Sequence, residues 1–428
     1  MSAHFPRTSR RALGTLAGAL LILLTAAIPG VLAGKTKPPP CYVKVDAGRV
    51  KTGDGSLLQT ALTNASSGTA IHVGGQCSGT FSVDLPSAGT VSLVADLTKP
   101  AAARTATLKG PGSGTVLAVG DATSLTVTGV RITAGATSGN GGGIVNAGTL
   151  TLTGTTAVTA NSAANGGGVY NNGVDARLTL SGSASVTNNS ASTYGGGIYN
   201  AYGTVSVSDQ ARLNGNSAAV SGGGLYNSYG AVSFGGTSEV SVNTASGGGT
   251  AAVGGGGIFT YYGTLEFSGA TRIHQNSATN NGGGIHIFEG QSISLLGGTT
   301  VSDNTATYGG GIYTYTGYVY IRGTSLISGN HAAYRGGGYY NNIAILNLYD
   351  SARISGNTAG DSGGGIHMYN GGVTFYGASS VTGNTATYGG GIRNELGWTQ
   401  VGSGWAGSTC YPANSPNDYN VAAGGGGC

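Results

Sequence analysis

Residues 304–313 read NTATYGGGIY, and residues 384–392 read NTATYGGGI. The separation of 80 residues is three steps of one repeat. Aligned on the apolar residue after each glycine run, the chain shows Ile144, Val169, Ile198, Leu225, Ile258, Ile285, Ile312, Tyr339, Ile366 and Ile392. The steps are 25, 29, 27, 33, 27, 27, 27, 27 and 26. A recurring period of this size predicts a stacked repeat architecture.

Two further rows keep the same beat. An asparagine stands three residues after an aliphatic residue in all nine gaps: Asn161, Asn189, Asn216, Asn243, Asn276, Asn304, Asn330, Asn357 and Asn384. A pair of apolar residues two apart recurs from Leu150/Leu152 to Val373/Phe375, the alternation of a strand with every second side chain turned inward. Three short β runs per unit, with no room for an amphipathic helix, predict an all-β fold. It is a single-stranded right-handed parallel β-helix, a solenoid of about 27 residues per coil. In this reading Gly309 to Gly311 turn a corner that tolerates no Cβ, and Ile312 stacks on Ile285 and Tyr339. Asn304 bonds to its own coil's backbone and to the asparagine of the next coil, so the nine asparagines form a structural ladder. The step of 33 residues carries the surplus SGGGTAAVGGGG between Asn243 and Ile258, which reads as a surface loop.

Glycine makes up 84 of 428 residues and charged residues only 8%. Aperiodic glycine at this level would indicate disorder; glycine locked to a repeat indicates order. Residues 1–33 read as a signal peptide. Arg7, Arg10 and Arg11 precede an apolar run from Leu13 to Ala27, and Val31-Leu32-Ala33 offers a small-residue cleavage site. Sec and twin-arginine export both fit Ser9-Arg10-Arg11. Removing this leader leaves sixteen basic against fifteen acidic residues, a net charge of +1, which gives nucleic-acid binding no electrostatic support. No later stretch is apolar enough to span a bilayer.

The remaining boundaries are a Pro-rich linker over 34–43, an N-terminal cap with irregular first coils over 44–134, regular repeats over 135–397 and a C-terminal cap over 398–428. Leu57, Leu58, Ala61, Leu62 and Ala65 fall at helical spacing, so Ser56 to Ala65 is expected to close the N-terminal mouth. Trp398, Trp405 and the Cys410–Cys428 loop are expected to close the other end. An exported chain with four cysteines should form disulfides, here Cys41–Cys77 and Cys410–Cys428. No His or Cys spacing matches a metal site, and no cofactor motif occurs: a phosphate loop needs Lys-Ser/Thr after its glycines, and none follows.

The alternating GGGI and [V/I/L]xxN motifs resemble the repeats of chlamydial polymorphic outer membrane proteins, which alternate GGA[I/L/V] with FxxN in a β-helical passenger. The likeness covers about Asn140 to Asn394. It implies adhesion and surface display. The second motif is aliphatic here where the family has Phe, and the transmembrane barrel that ends those proteins has no counterpart before Cys428.

Parallel β-helices also include polysaccharide lyases and glycoside hydrolases, whose chemistry needs clustered carboxylates. In a solenoid such a cluster shows as acids one coil apart. The acids here do not line up: Asp209 and Asp350 share a register but read as turn residues, and Arg335 with Asp361 reads as a surface ion pair. The aromatic residues stand out more. The residue after each inward aliphatic runs Tyr170, Tyr199, Tyr226, Phe259, His286, Tyr313, Tyr340, His367 and Arg393. By alternation these point outward, and Tyr313 and Tyr340, flanked by His286 and His367, form the candidate binding strip. The sequence thus predicts an exported, monomeric, non-enzymatic protein of the cell surface or medium, structural or adhesive, with a glycan as partner. The alternative is a polysaccharide lyase or glycoside hydrolase.

Overall fold

The structure, a computed structural model, describes residues 40–95, 106–249, 251–290 and 292–402. Each repeat carries the chain once around a parallel β-solenoid of about 12 turns with about 27 residues per turn. The expected stacking is present in full register. Ile285 pairs with Ile312 and Ile312 with Tyr339, and the row continues without a slip from Ile144 to Ile392. These side chains are buried, as are the paired apolar residues of the second row. Burying each aliphatic side chain stabilises the fold by roughly 1.5–3 kcal/mol before the entropy of ordering it is subtracted. Tyr339 is the one inward ring in its row, and its hydroxyl donates to Thr314 Oγ1 at 3.0 Å, so the core holds no unsatisfied phenol there.

Eight of the coils have a fourth strand, where three were expected. One coil runs Thr149–Thr153, Ala157–Thr159, Ser162–Asn165 and Val169–Asn172. Stacked, these positions make sheet A of 15 strands, sheet B of 12, sheet D of 8 and sheet C of 12. Sheet D follows the ladder asparagines from Asn161 to Asn357. Its strands are short, two residues in Ser217–Ala218, and bury a single alanine such as Ala191, Ala218 or Ala332. One small inward residue leaves no aliphatic alternation to detect, which is why the fourth run escaped notice.

The asparagine ladder is buried from Asn161 to Asn384. Its wiring differs from the expected one. Asn304 Oδ1 accepts from both the backbone N–H and Nδ2 of Asn276, each at 3.0 Å. Asn304 Nδ2 donates to Ile273 O at 3.0 Å in the preceding coil and to Asn330 Oδ1 at 2.9 Å in the next. Each amide therefore ties three coils together, and its main backbone partner belongs to a neighbouring coil. The glycine corner is as strict as expected: Gly309 has φ +61°, and a Cβ on Gly311 would lie 2.6 Å from Gly338 O.

At the N-terminal end helix α1 spans Gly55–Thr63, with Asp54 Oδ1 accepting from Ser56 N–H at 2.9 Å as its cap. Leu58 and Leu62 are buried in the core, and Leu57, Ala61 and Ala65 pack beside it. The strand Cys41–Val45 pairs antiparallel with both Lys51–Gly53 and Thr69–Gly74, so sheet A begins inside the stretch expected to be linker. Its Cys41 is joined to Cys77, in the first strand of sheet B, by the expected disulfide. Closing 36 residues in this way restricts the unfolded chain by roughly 4 kcal/mol in the loop-entropy account. At the other end Trp398–Val401 is the last strand of sheet A. The expected signal peptide, most of the expected linker, Trp405, Cys410 and Cys428 lie outside the described residues. Among the described residues no helix is long and apolar enough to cross a membrane.

Candidate functional site

The aromatic row follows sheet C as expected, but it is not an exposed strip. Tyr313 and Tyr340 retain 6% and 8% of their surface, and Phe259, His286 and His367 retain almost none. Two features hide them. First, the rings cover one another: Tyr313 and Tyr340 stack at 5.0 Å with planes 7° apart, and Tyr340 stacks on His367 at 4.9 Å. Second, the chain doubles back at the left-handed glycine, so side chains on the outer faces of sheets D and C converge across the corner. Tyr308, just before Gly309, meets Tyr340 at 5.7 Å, and Tyr194 meets Tyr226 at 4.6 Å. Outward on a strand means solvent only where the neighbouring sheet does not fold over it.

What remains open above Tyr313 and Tyr340 is a groove of about 580 Å³. Its floor is those two tyrosines, presented by edge and hydroxyl because their faces are spent on stacking. One wall comes from the sheet D side: Asn280, Asn281, Tyr308, Tyr334 and Arg335. The opposite wall is Asn342 and Tyr369, from the turn that leaves sheet C. Gly249 and Ala251 of the 33-residue repeat's insertion form an end wall. The Ala251 carbonyl accepts from Asn281 Nδ2 at 3.1 Å and fixes the insertion to the wall. Tyr334 and Tyr369 are 40% and 42% exposed, so these two offer ring surface to a ligand.

The electrostatics centre on Arg335. Its Nε donates to Asp361 Oδ2 at 2.9 Å, the pairing expected from the sequence, and Nη1 contacts Glu395 Oε1 at 3.0 Å, which was not. Nη2 donates to the Tyr334 hydroxyl at 3.4 Å, and the guanidinium carbon lies 4.7 Å from that ring's centroid. The arginine is half-buried, and its five donors are largely committed inside the protein. Behind it Ser362 Oγ bonds to Asp361 Oδ2 and lies 3.1 Å from His367 Nδ1. Burial, reinforced by the Arg335 and Arg393 charges, holds the His367 imidazole down at about 3. Burial does the same to His286, also at about 3, against the opposing pull of a hydrogen bond with the Val253 backbone. Both histidines are therefore neutral spacers in the ring stack at physiological pH. Burial also pushes the Tyr340 phenol up to about 12 and raises that of Tyr313, so both hydroxyls stay protonated and able to donate.

Of the four predicted binding residues the structure thus brings Tyr313 and Tyr340 to the groove floor and places His286 and His367 under cover on either side. The acids read as turn residues are such: Asp209 and Asp350 sit at φ +57° and accept from Gly182 N–H and Gly323 N–H of the preceding coils. Asp361 and Glu395 are both held by Arg335, and His367 Nε2 lies 3.8 Å from Glu395 Oε1. Among the described residues no three of His, Cys, Asp or Glu gather as metal ligands. Sequence reasoning missed the walls. Asn281, Tyr308 and Arg335 all immediately precede a glycine run, a register that also holds Tyr194, Ser221 and Ser362. Reading that column as closely as the one after the glycines would have found the wall. No family model, no curated protein and no solved structure matches this chain.

Proposed function

We propose that this chain is an exported, non-enzymatic binding protein of the cell surface or medium that holds glycans in the groove above Tyr313 and Tyr340. The observation that carries this reading is the groove's lining: exposed Tyr334 and Tyr369 on facing walls, asparagines beside them, and protonated phenols below. Apolar ring surface with amide and hydroxyl donors suits the faces and rims of sugar rings. The leader-like first 33 residues and the likeness to polymorphic outer membrane protein repeats support adhesion outside the cell. The alternative, a polysaccharide lyase or glycoside hydrolase, would draw on Asp361 and Glu395. Both carboxylates are engaged by one guanidinium, which opposes their use as a free acid and base.

The test is to incubate the purified protein with a panel of polysaccharides, scoring both retention and new reducing or unsaturated ends. Retention without cleavage is expected, and Tyr334→Ser with Tyr369→Ser should abolish it while leaving the melting temperature within about 2 °C, because both rings are surface-exposed. Cleavage of any member of the panel overturns the reading.

A further inference from the structure

The groove's direction and charge narrow the ligand. Its lining comes from five successive coils: Ala251, then Asn281, then Tyr308, then Tyr334, then Tyr369. It therefore runs along the stacking axis with one rung per coil, although the side chain on each rung differs. The repeat distance is that of the ring stack, 5.0 Å from Tyr313 to Tyr340. An extended β-(1→4)-linked pyranose chain advances by about one such rung per sugar, whereas α-(1→4) chains coil and lose register with a straight ladder. Five coils leave room for about four sugars.

Charge decides the sugar type. Arg335 is the cation in the groove wall, and its donors already serve Asp361, Glu395 and the Tyr334 hydroxyl. With His367 neutral, the Arg335 and Arg393 guanidiniums balance the Asp361 and Glu395 carboxylates, so the cluster beside the groove carries no excess positive charge. An incoming uronate or sulfate would have to compete with Asp361 and Glu395 for Arg335 and would meet no uncompensated positive charge.

We infer that the groove binds a neutral, extended β-(1→4)-linked polysaccharide along the solenoid axis, one sugar per coil, and that Arg335 is a positioning residue which holds the wall. This rests on the glycan-binding reading above. The experiment is calorimetric titration of the full chain with three oligosaccharide series: β-(1→4)-mannose, β-(1→4)-mannuronate and α-(1→4)-glucose. Mannose oligomers should gain affinity up to about four sugars and then plateau, and should bind about tenfold or more tightly than either other series. In the variant Asp361→Asn with Glu395→Gln, Arg335 is released, and the preference over mannuronate should shrink to about threefold or less. Equal or tighter wild-type binding of mannuronate overturns the charge argument, and tighter binding of the α-linked series overturns the register argument; in both cases the protein still binds glycans. Failure to bind any series, together with no retention on the polysaccharide panel, removes the glycan-binding reading itself.

Discussion

The asparagine row from Asn161 to Asn384 is unbroken over nine coils, whereas the row that begins Asn146, Asn171, Asn200 and Asn227 gives way to Thr260, Ile287 and Thr314. Both rows are buried, and both pass amide bonds from coil to coil. The difference is what else they satisfy. In the first row every Oδ1 from Asn189 onward accepts a backbone N–H of the preceding asparagine as well as its amide. In the second row Asn200 Oδ1 accepts only the side-chain amide of Asn171, and its own amide serves the Gly203 carbonyl. An orphaned buried N–H is costlier to the fold than a carbonyl with one lone pair unused. The first row thus serves a backbone N–H in every coil from Asn189 onward, whereas in the second row Asn341 does so, through the Ala344 N–H at 2.8 Å, and Asn200 does not, so the second row is freer to change. It changes on the coils that carry the insertion, the buried histidines and the groove, so local irregularity and the candidate site coincide.

Paired substitutions sharpen the contrast. Asn304→Ala strands the backbone N–H of Asn276 and leaves its amide with Val240 O alone, and should cost about 3 kcal/mol, whereas Asn200→Ala should cost about 1 kcal/mol. Urea denaturation midpoints measure both. Equal losses would mean the backbone bond is not what separates the rows.

Acid should strike the groove coils first. His286 and His367 have folded values near 3, below the ordinary value of about 6.5 that the unfolded chain shows. Above pH 6.5 both states are neutral and nothing is lost. As pH falls from 6.5 towards 3 the unfolded state binds protons that the folded state refuses, so stability falls, by roughly 2 kcal/mol per histidine at pH 5. Hydrogen exchange at pH 5 should therefore show coils 285–368 opening before coils 161–243, and His286→Phe should remove about half the effect. Uniform opening would place the acid-sensitive groups elsewhere.

The smallest effect concerns the insertion. Deleting Gly247 to Ala252 removes the Asn281–Ala251 bond and an end of the groove, but no strand. The expected loss is about 1 kcal/mol or less by thermal denaturation. A deletion variant that fails to fold would show that the insertion belongs to the scaffold.

The repeat, its register and the inward rows were legible because each is written as a periodic choice of residue type, and a solenoid converts period directly into contact. The asparagine ladder was legible for the same reason, although its wiring was not: which coil's carbonyl meets an amide depends on the stagger between coils. Sheet D was hidden because alanine is a weak signal. Asp361 and Glu395 were not legible as a pair, since 34 residues separate them and one arginine joins them.

By itself the sequence determined the coil: its length, the side chains that point inward, the left-handed corners and the covalent tie between Cys41 and Cys77. Only the tertiary structure decided which outward side chains reach water. Alternation tells the face of a sheet on which a residue lies, but accessibility depends on the angle between neighbouring sheets. That angle is set where the glycine corner folds Tyr308 over Tyr340, which buries a predicted strip and leaves a groove in its place.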